Sequence, residues 1–265
     1  MTFEYENKLI LVDKRADHVA VVTLNNPPMN LNSIASMREL SDVFHRLEKD
    51  PEVRAVVLTG SGTRAFNVGT DLTEMQRMHG DFRGEKFDLE MALMDAIEFL
   101  PKPTICAIEG YCMGGGLELA CCCDLRVVSE RARFAQPEIS LGLFPAAGGL
   151  YRLPRIIGLP QALEMMYTGE QIDAQEAHRL GLANRVVPAG ESLGSALELA
   201  AKIAGMAPNA LRVIKEGARK MWQKESKDDH YTNLEYIDRI FDHPNGIEGV
   251  AAFLEKRAPA FRYDG

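Results

Sequence analysis

The chain has 265 residues, of which 46% are hydrophobic, so it can bury a large core as one domain, with or without an appendage. Acidic residues outnumber Lys and Arg by 38 to 30, and the net charge of -8 disfavours non-specific binding to nucleic acid or to an anionic membrane. No apolar run approaches the roughly 18 residues that a membrane-spanning helix needs. The N-terminal MTFEYENKLILVDKR resembles neither a secretory signal nor a transit peptide.

The first half of the chain alternates between two kinds of sequence pattern. Runs rich in β-branched residues predict strands at Leu9–Val12, His18–Leu24, Ala55–Thr59, Pro103–Ile108 and Leu125–Ser129. Apolar residues at helical spacing predict a helix from Ser33 that ends at Asp50 and Pro51, then helices at Asp71–Met78 and Lys86–Leu100. Because a β-helix-β order recurs, the predicted fold class is mixed α/β.

Beyond Pro188 the pattern is almost entirely helical. Helices are predicted at Glu191–Ala207, Pro208–Trp222 and Lys227–Phe241. We therefore place a boundary near residue 190, between a core at residues 1–190 and a C-terminal helical region at residues 191–265. The apolar faces of this region need a partner, either the core or another subunit.

All five cysteines lie within one short hydrophobic region. They are Cys106, Cys112, Cys121, Cys122 and Cys123. Their spacing matches no metal site, and adjacent cysteines are poorly placed for a disulfide framework. We interpret them as reduced, buried, small apolar side chains, which indicates a reducing, cytoplasmic compartment and predicts no bound metal.

Three consecutive glycines, Gly114 to Gly116, separate a predicted strand from a helix in GYCMGGGLELACCC. Glycines at the start of a helix allow close approach to free backbone N–H groups, a geometry that suits an anion or an oxyanion. Glu118 follows Gly115 by three residues on the same helix face, where a carboxylate can transfer protons. The alternative is that the glycines serve packing and that Glu118 only complements the helix dipole.

A second carboxylate, Glu138, occurs in the otherwise apolar stretch RFAQPEISLGLFPAAGGLYRLPRIIG. Desolvation among such neighbours would disfavour its ionisation and suit it to general acid catalysis near neutral pH. It could equally be a surface residue on a turn. Neither glycine loop has the full dinucleotide-binding or phosphate-binding pattern.

Four segments in this order, AFNVGTDL, GYCMGGGLELACCCDLR, FAQPEISLGLFPAAGGLYRLPRIIG and FLEKRAPAF, resemble the crotonase superfamily, the enoyl-CoA hydratase/isomerase group. The resemblance covers nearly the whole chain. It implies a spiral of repeated ββα units, with C-terminal helices that mediate contacts in a homotrimer or a dimer of trimers. It also implies an acyl-CoA thioester substrate whose enolate is stabilised by two backbone amides, which match Thr70 and Gly115.

Both glutamates of the family's hydratases have matches, Glu118 and Glu138. The implied reaction is the reversible addition of water across the 2,3 double bond of an enoyl-CoA. Glu118 would act as the base towards water and Glu138 would deliver the proton to the α-carbon. No metal or redox cofactor is implied, because coenzyme A is part of the substrate.

The resemblance further implies a set of residues that bind the substrate and its CoA. These are Met29, Asn30, Leu31, Arg64, Ala65, Phe66, Gly69, Asp71, Leu72, Gly114, Phe253 and Lys256. Lys256 would lie near the CoA phosphates of a neighbouring subunit, with Phe253 as a packing contact. Asp71 has an alternative interpretation, because with Glu74 it resembles a helix N-cap box.

The acyl pocket is the least defined part of the prediction. Where the family lines this pocket, the chain has Met75, Phe82, Phe87 and further methionines at positions 78, 91 and 94, although such spacing is also typical of a core. Asn67, Val68 and Thr70 replace smaller residues, and Ala146 stands where glycine is frequent. These departures would narrow the pocket or change its polarity, so they leave the acyl group open.

Enoyl-CoA hydratase is thus the predicted function. The alternatives are an enoyl-CoA isomerase, which needs only one proton-transferring carboxylate, and a dehydratase of a specialised acyl-CoA. An RNA-binding relative is disfavoured by the charge and by the lack of a basic stretch interleaved with aromatic residues. A non-catalytic CoA-binding scaffold is disfavoured because both glutamates are retained.

Overall fold

The computed structural model describes residues 8–78, 83–222 and 243–260. The helix predicted at Lys227–Phe241 and the side chain of Phe82 lie outside these ranges. No helix within them has both the length and the hydropathy required to cross a bilayer.

The described chain contains short strands and helices in mixed order. The strands are β1 (Ile10–Lys14), β2 (Val19–Leu24), β3 (Ala55–Gly60), β4 (Ala65–Asn67), β5 (Thr104–Ile108), β6 (Tyr111–Met113), β7 (Leu125–Ser129), β8 (Arg133–Ala135), β9 (Ile172–Asp173) and β10 (Arg185–Val187). The helices are α1 (Ile34–Lys49), α2 (Leu72–Arg77), α3 (Asp88–Glu98), α4 (Gly115–Cys122), α5 (Gly149–Ile157), α6 (Leu159–Thr168), α7 (Ala174–Arg179), α8 (Ser192–Ala204), α9 (Pro208–Trp222) and α10 (Pro244–Leu254). A π-helical turn (Arg83–Phe87) precedes α3, and a 3-10 turn (Pro137–Leu141) follows β8.

Two sheets, mostly parallel, organise the fold. The first has the strand order β1-β2-β3-β5-β7-β10, with only β1 antiparallel to its neighbour. The second has the order β4-β6-β8-β9, with only β9 antiparallel. The successive pairs β3/β4, β5/β6 and β7/β8 each give one strand to each sheet, and helices separate the pairs. This repeat confirms the predicted mixed α/β class and its ββα units.

Side chains on the two faces of the larger sheet belong to two separate cores. The larger core includes Phe44 of α1, Met94 of α3 and Leu117 of α4. The smaller one lies between the sheet and α8, whose Ala196 and Ala200 are fully buried. Alanines four residues apart form a flat stripe that lets α8 lie close to the strands. The first helix after the predicted boundary therefore packs on the core sheet.

Local sequence explains most of the element boundaries. Ser33 caps α1 by accepting a hydrogen bond from the Ser36 N–H, as expected for a helix that starts there. The helix predicted from Lys86 is confirmed, with Lys86 and Phe87 in the π-helical turn that leads directly into α3 at Asp88. Periodicity does not distinguish such a turn from an α-helix.

Buried and half-buried charges attach α9 to the core. Lys215 and Arg219 each approach a carboxylate oxygen of Asp124 at 2.8 Å, and Arg219 also pairs with Glu98 at 2.6 Å. The last helix, α10, packs against α2 and the 3-10 turn. This contact places Phe253 beside the cavity described next.

Candidate active site

A cavity of about 280 Å³ lies between the turn at Gly69, the turn at Gly114 and Gly115, the 3-10 turn and α10. Eight of the predicted site residues line it: Gly69, Thr70, Leu72, Gly114, Gly115, Glu118, Glu138 and Phe253. They come from segments far apart in the sequence, and the parallel sheets bring these segments to one end of the fold. The cavity also contains a residue that sequence reasoning missed, Glu90.

Thr70 and Gly115, whose backbone amides are the predicted oxyanion donors, both lie in the wall of the cavity. Asn32 and Thr70 form a parallel β-bridge. Its two hydrogen bonds involve the residues on either side of Thr70: the Asn32 N–H donates to the Gly69 carbonyl at 2.8 Å, and the Asp71 N–H donates to the Asn32 carbonyl at 3.1 Å. The Thr70 N–H therefore faces away from Asn32. Gly115 is the first residue of α4, so its N–H has no acceptor within the helix.

Gly69 has a conformation and a position that only glycine satisfies. Its φ of 86° is left-handed, and a Cβ there would lie 2.9 Å from the Gly115 nitrogen. A side chain at this position would fill the space between the two turns. Without a side chain at Gly69 this space stays open, and Thr70 and Gly115 both line the cavity.

The Asn67 side chain fixes the loop that carries the first amide. Its carbonyl oxygen accepts a hydrogen bond from the Gly69 N–H at 2.7 Å, and its amide group donates to Asn32 Oδ1 at 2.7 Å and to the Asn30 carbonyl. A Cβ on Gly116 would lie 2.2 Å from the main-chain carbonyl oxygen of Asn67, so α4 can approach this loop only with glycine there. Asn67 thus holds this loop in place from a buried position outside the cavity wall.

Glu118 lies in the first turn of α4 and is 3% exposed. Its Oε1 accepts a hydrogen bond of 2.7 Å from the N–H of Gly149, the first residue of α5. Burial raises the pKa of the Glu118 carboxyl well above its usual range, and the neighbouring charges of Glu138 and Glu90 raise it further. The Gly149 N–H and Arg152 oppose this shift, because both favour the ionised form.

Glu138 extends into the same cavity from the 3-10 turn. The buried amide of Gln136, turned with its nitrogen towards the carboxyl group, donates to the two Glu138 oxygens at 3.1 and 3.2 Å. Burial raises the pKa of Glu138 to about 8, so this group keeps its proton at neutral pH. The carboxyl groups of the cavity act on one another, because the charge of Glu90 raises the pKa of both Glu118 and Glu138, and the charge of Glu138 raises that of Glu118.

Glu90 is the third carboxyl group of this set. It is 3% exposed and lies on the face of α3 that also buries Met91 and Met94. The helical spacing of those methionines places residue 90 on the apolar face, so a charged residue in the middle of that face was the signal that sequence reasoning overlooked.

The remaining predicted binding residues lie outside the cavity wall. Asn30 is buried, and its amide donates to the carbonyls of Ser61 and Ala65 at 3.0 and 2.9 Å. Ala65 and Phe66 are fully buried, so contacts between these three residues and CoA would have to come from the main chain. Met29 and Leu31 are half-buried, and Arg64 is exposed.

Asp71 and Lys256 also lie apart from the reacting centre. Asp71 caps α2 by accepting hydrogen bonds from the N–H groups of Thr73 and Glu74, which confirms the capping interpretation. Glu74 does not complete the box, because its carboxylate accepts from the Ile34 N–H instead. Lys256 is exposed directly after α10. Roles for Asp71 and Lys256 in CoA binding stay predictions.

The methionine and phenylalanine positions divide between cavity and core. Met75 and Phe87 line the cavity, whereas Met91 and Met94 are buried in the larger core and Met78 packs against it. The five cysteines are all buried, and none forms a disulfide, as expected of packing residues. Among the described residues no group of three or more His, Cys, Asp and Glu side chains is arranged to hold a metal ion.

Comparison with known proteins matches this arrangement to one family. The model of the enoyl-CoA hydratase/isomerase family matches residues 14–264. The chain belongs to this family. Relatives within the enoyl-CoA hydratase/isomerase family align with this chain over nearly its whole length. It is 37% identical to the short-chain-enoyl-CoA hydratase of Clostridium acetobutylicum, over 95% of this chain and 96% of that one.

A second relative carries a different name. The carnitinyl-CoA dehydratase of Proteus mirabilis is 39% identical, over 92% of this chain and 95% of the relative. Among solved structures, the enoyl-CoA hydratase from Bacillus anthracis superposes with a TM-score of 0.80 at 36% identity, over 96% of this chain and 99% of that one. The family and fold predicted from the sequence are thereby confirmed.

Proposed function

We propose that this chain is an enoyl-CoA hydratase that adds water reversibly across the 2,3 double bond of an enoyl-CoA thioester. The observation that carries the proposal is the placement of Glu118 and Glu138 in one cavity with the accessible amides of Thr70 and Gly115. Family membership supports the same reaction class. Each group has a separate task in the reaction.

The two amides stabilise negative charge on the substrate. The thioester carbonyl oxygen accepts hydrogen bonds from the Thr70 and Gly115 N–H groups, and these bonds strengthen as the addition converts the enoyl thioester to an enolate. The loss of one such donor in other enzymes costs roughly 2.7 to 4 kcal/mol of transition-state stabilisation. The position of Gly115 at the start of α4 adds the helix dipole to this effect.

The two carboxyl groups move the protons. The oxygen of a water molecule bonds to C3 while one of its protons passes to Glu118, and Glu138 gives its proton to C2, so that one water is added in total. Glu138 suits the acid role because its raised pKa of about 8 keeps it protonated at neutral pH. The base role requires Glu118 to be ionised, which burial opposes, and the Gly149 N–H and Arg152 are the groups that favour this form. Dehydration of a 3-hydroxyacyl-CoA is the reverse sequence.

The rest of the proposal concerns binding and assembly. CoA is held by the loop around Arg64 and the turn at Met29 to Leu31, and Lys256 contributes positive charge for the phosphates. The C-terminal helices mediate a homotrimer or a dimer of trimers, with Lys256 near the CoA of a neighbouring subunit. Because the addition of water involves no net oxidation or reduction of the substrate, no redox cofactor takes part. The buried, unpaired cysteines favour a cytoplasmic location.

A dehydratase of a specialised acyl-CoA is the second candidate. It uses the same carboxyl groups, and the extra carboxyl group of Glu90 in the acyl cavity favours it over a hydratase for plain alkyl chains. An isomerase needs only one of the two catalytic carboxyl groups, so the presence of both argues for hydration.

The Glu118→Gln variant tests the proposed reaction. Gln cannot accept the proton from water, so we expect hydration of crotonyl-CoA to fall at least about 100-fold, as is typical for loss of a general base. The loss of enoyl thioester absorbance measures hydration, and calorimetry with the same ester measures binding. Wild-type protein that binds enoyl-CoA esters but yields no 3-hydroxyacyl product contradicts the proposal. Isomerase activity that survives Glu118→Gln points to the isomerase instead.

A further inference from the structure

The carboxyl group of Glu90 has no task in the proposed hydration. Its Oε1 accepts no hydrogen bond from any residue within the described ranges, and the side chain is 3% exposed in the cavity wall. Buried polar atoms in proteins nearly always have a partner, and an unpaired one is a cost to stability. This oxygen is therefore placed to receive a partner from the ligand.

Lys86, whose charge acts on Glu90, is already engaged by other groups. Lys86 is fully buried one turn before Glu90, and its ammonium group donates to the Asn32 carbonyl at 3.0 Å and pairs with Glu74 at 3.2 Å. Burial raises the pKa of Glu90, while Lys86 and the Asn32 amide only moderate the shift. Lys86 thus opposes the rise in the pKa of Glu90 but supplies no hydrogen bond to its Oε1.

The position of Glu90 fixes which part of a substrate it can reach. A Cβ on Gly115 would lie 3.4 Å from Glu90 Oε1. With a Cα–Cβ bond of about 1.5 Å, Oε1 lies within about 5 Å of the Gly115 Cα. Because the Gly115 N–H holds the thioester oxygen in the proposed reaction, Glu90 faces the first few carbons of the acyl chain. It does not face the end of a long chain.

We propose that Glu90 is a specificity-determining residue that accepts a hydrogen bond from the acyl group, so that the preferred substrates are short enoyl-CoA esters with a hydroxyl group at the fourth carbon. This inference rests on the proposed function, since it names the substrate class of the same site. A hydroxyl group can satisfy Oε1 whether Glu90 is ionised or protonated, because the carboxyl group retains acceptor capacity in both forms.

Other acyl groups fit this cavity less well. A plain alkyl chain would desolvate Oε1 and leave it unpaired, which is the kind of mismatch that lets enzymes reject an analogue lacking a polar group. An anionic acyl group would meet three carboxyl groups, those of Glu90, Glu118 and Glu138. The methyl and aromatic groups of Met75 and Phe87 accommodate the carbon atoms on either side of the hydroxyl group.

A matched pair of esters tests the proposal. 4-Hydroxybut-2-enoyl-CoA and pent-2-enoyl-CoA differ by a hydroxyl group in place of a methyl group of similar size. We expect wild-type kcat/KM to favour the hydroxylated ester by roughly 10- to 100-fold. Glu90→Met, which keeps the length of the side chain without an acceptor, removes or inverts this preference. Glu90→Gln retains a carbonyl acceptor and keeps it.

Two controls separate this role from a general effect on structure or catalysis. Asp88→Asn removes an exposed carboxylate from the same helix and leaves the preference unchanged. Dissociation constants of both esters, measured with Glu118→Gln and with Glu118→Gln/Glu90→Met, report the preference without turnover. If neither ester is hydrated by the wild type but the binding preference depends on Glu90, the proposed function fails and the role of Glu90 stands. Wild-type preference for the pentenoyl ester, or an equal loss on both esters in Glu90→Met, overturns the inference.

Discussion

Replacement of Glu138 by Gln should have opposite effects on activity and on stability. The variant cannot deliver a proton to the α-carbon, so we expect kcat to fall by about 10²- to 10⁴-fold, the range typical of general acid catalysis. The same change removes a carboxyl group whose ionisation is unfavourable in the folded chain. The stability of the variant relative to the wild type should therefore increase as the pH rises.

The size of the stability effect follows from the pKa of Glu138, which is about 8 in the folded chain against an ordinary value of 4.5. Between these values the folded chain holds a proton that the unfolded chain has released, so stability falls as pH rises. Integration of this proton difference gives a loss of about 3 kcal/mol between pH 5 and pH 8. Gln at position 138 does not titrate, so the variant lacks this loss.

Urea denaturation at pH 5 and pH 8, at one fixed protein concentration, measures the effect. The free energy of unfolding of Glu138→Gln, relative to wild type, should rise by about 3 kcal/mol from the lower pH to the higher. Glu198→Gln removes an exposed carboxylate on α8 and serves as the control for a simple change of charge. If wild type and Glu138→Gln lose stability in parallel between these pH values, burial does not hold a proton on Glu138 and its role as the acid is refuted.

Two further substitutions test the oxyanion amides and the attachment of α9. Gly69→Ala introduces a Cβ 2.9 Å from the Gly115 nitrogen at a left-handed φ, so kcat/KM for crotonyl-CoA should fall at least about 100-fold; activity within tenfold of wild type, with an unchanged circular dichroism spectrum, would contradict the assignment. Lys215→Met removes one of the two ion pairs that Asp124 forms within the described residues, and urea denaturation should show a loss of about 2 to 3 kcal/mol. The exposed Lys202→Met is its control, and an equal effect of both variants would show that the ion pair is unimportant.

The sequence by itself determined the fold class, most strand and helix positions, and the family. These features depend on local pattern: β-branched runs gave β1, β2, β3, β5 and β7, and Ser33 and Asp50 gave the two ends of α1. The four ordered motifs gave Glu118, Glu138, Thr70 and Gly115, and the structure brings all four to one cavity. These residues could be predicted from local motifs because Thr70 follows Gly69 directly and Gly115 and Glu118 lie within one turn of α4.

The tertiary structure alone decided what surrounds those groups. Asn30 and Asn67 were read as binding or pocket-altering residues, yet both are buried and hold loops by hydrogen bonds between segments more than 30 residues apart. Glu90 was overlooked because its neighbour across the cavity, Gly115, is 25 positions away in the sequence. Burial, pairing and the resulting pKa shifts depend on long-range packing, whereas periodicity reports only on neighbours along the chain.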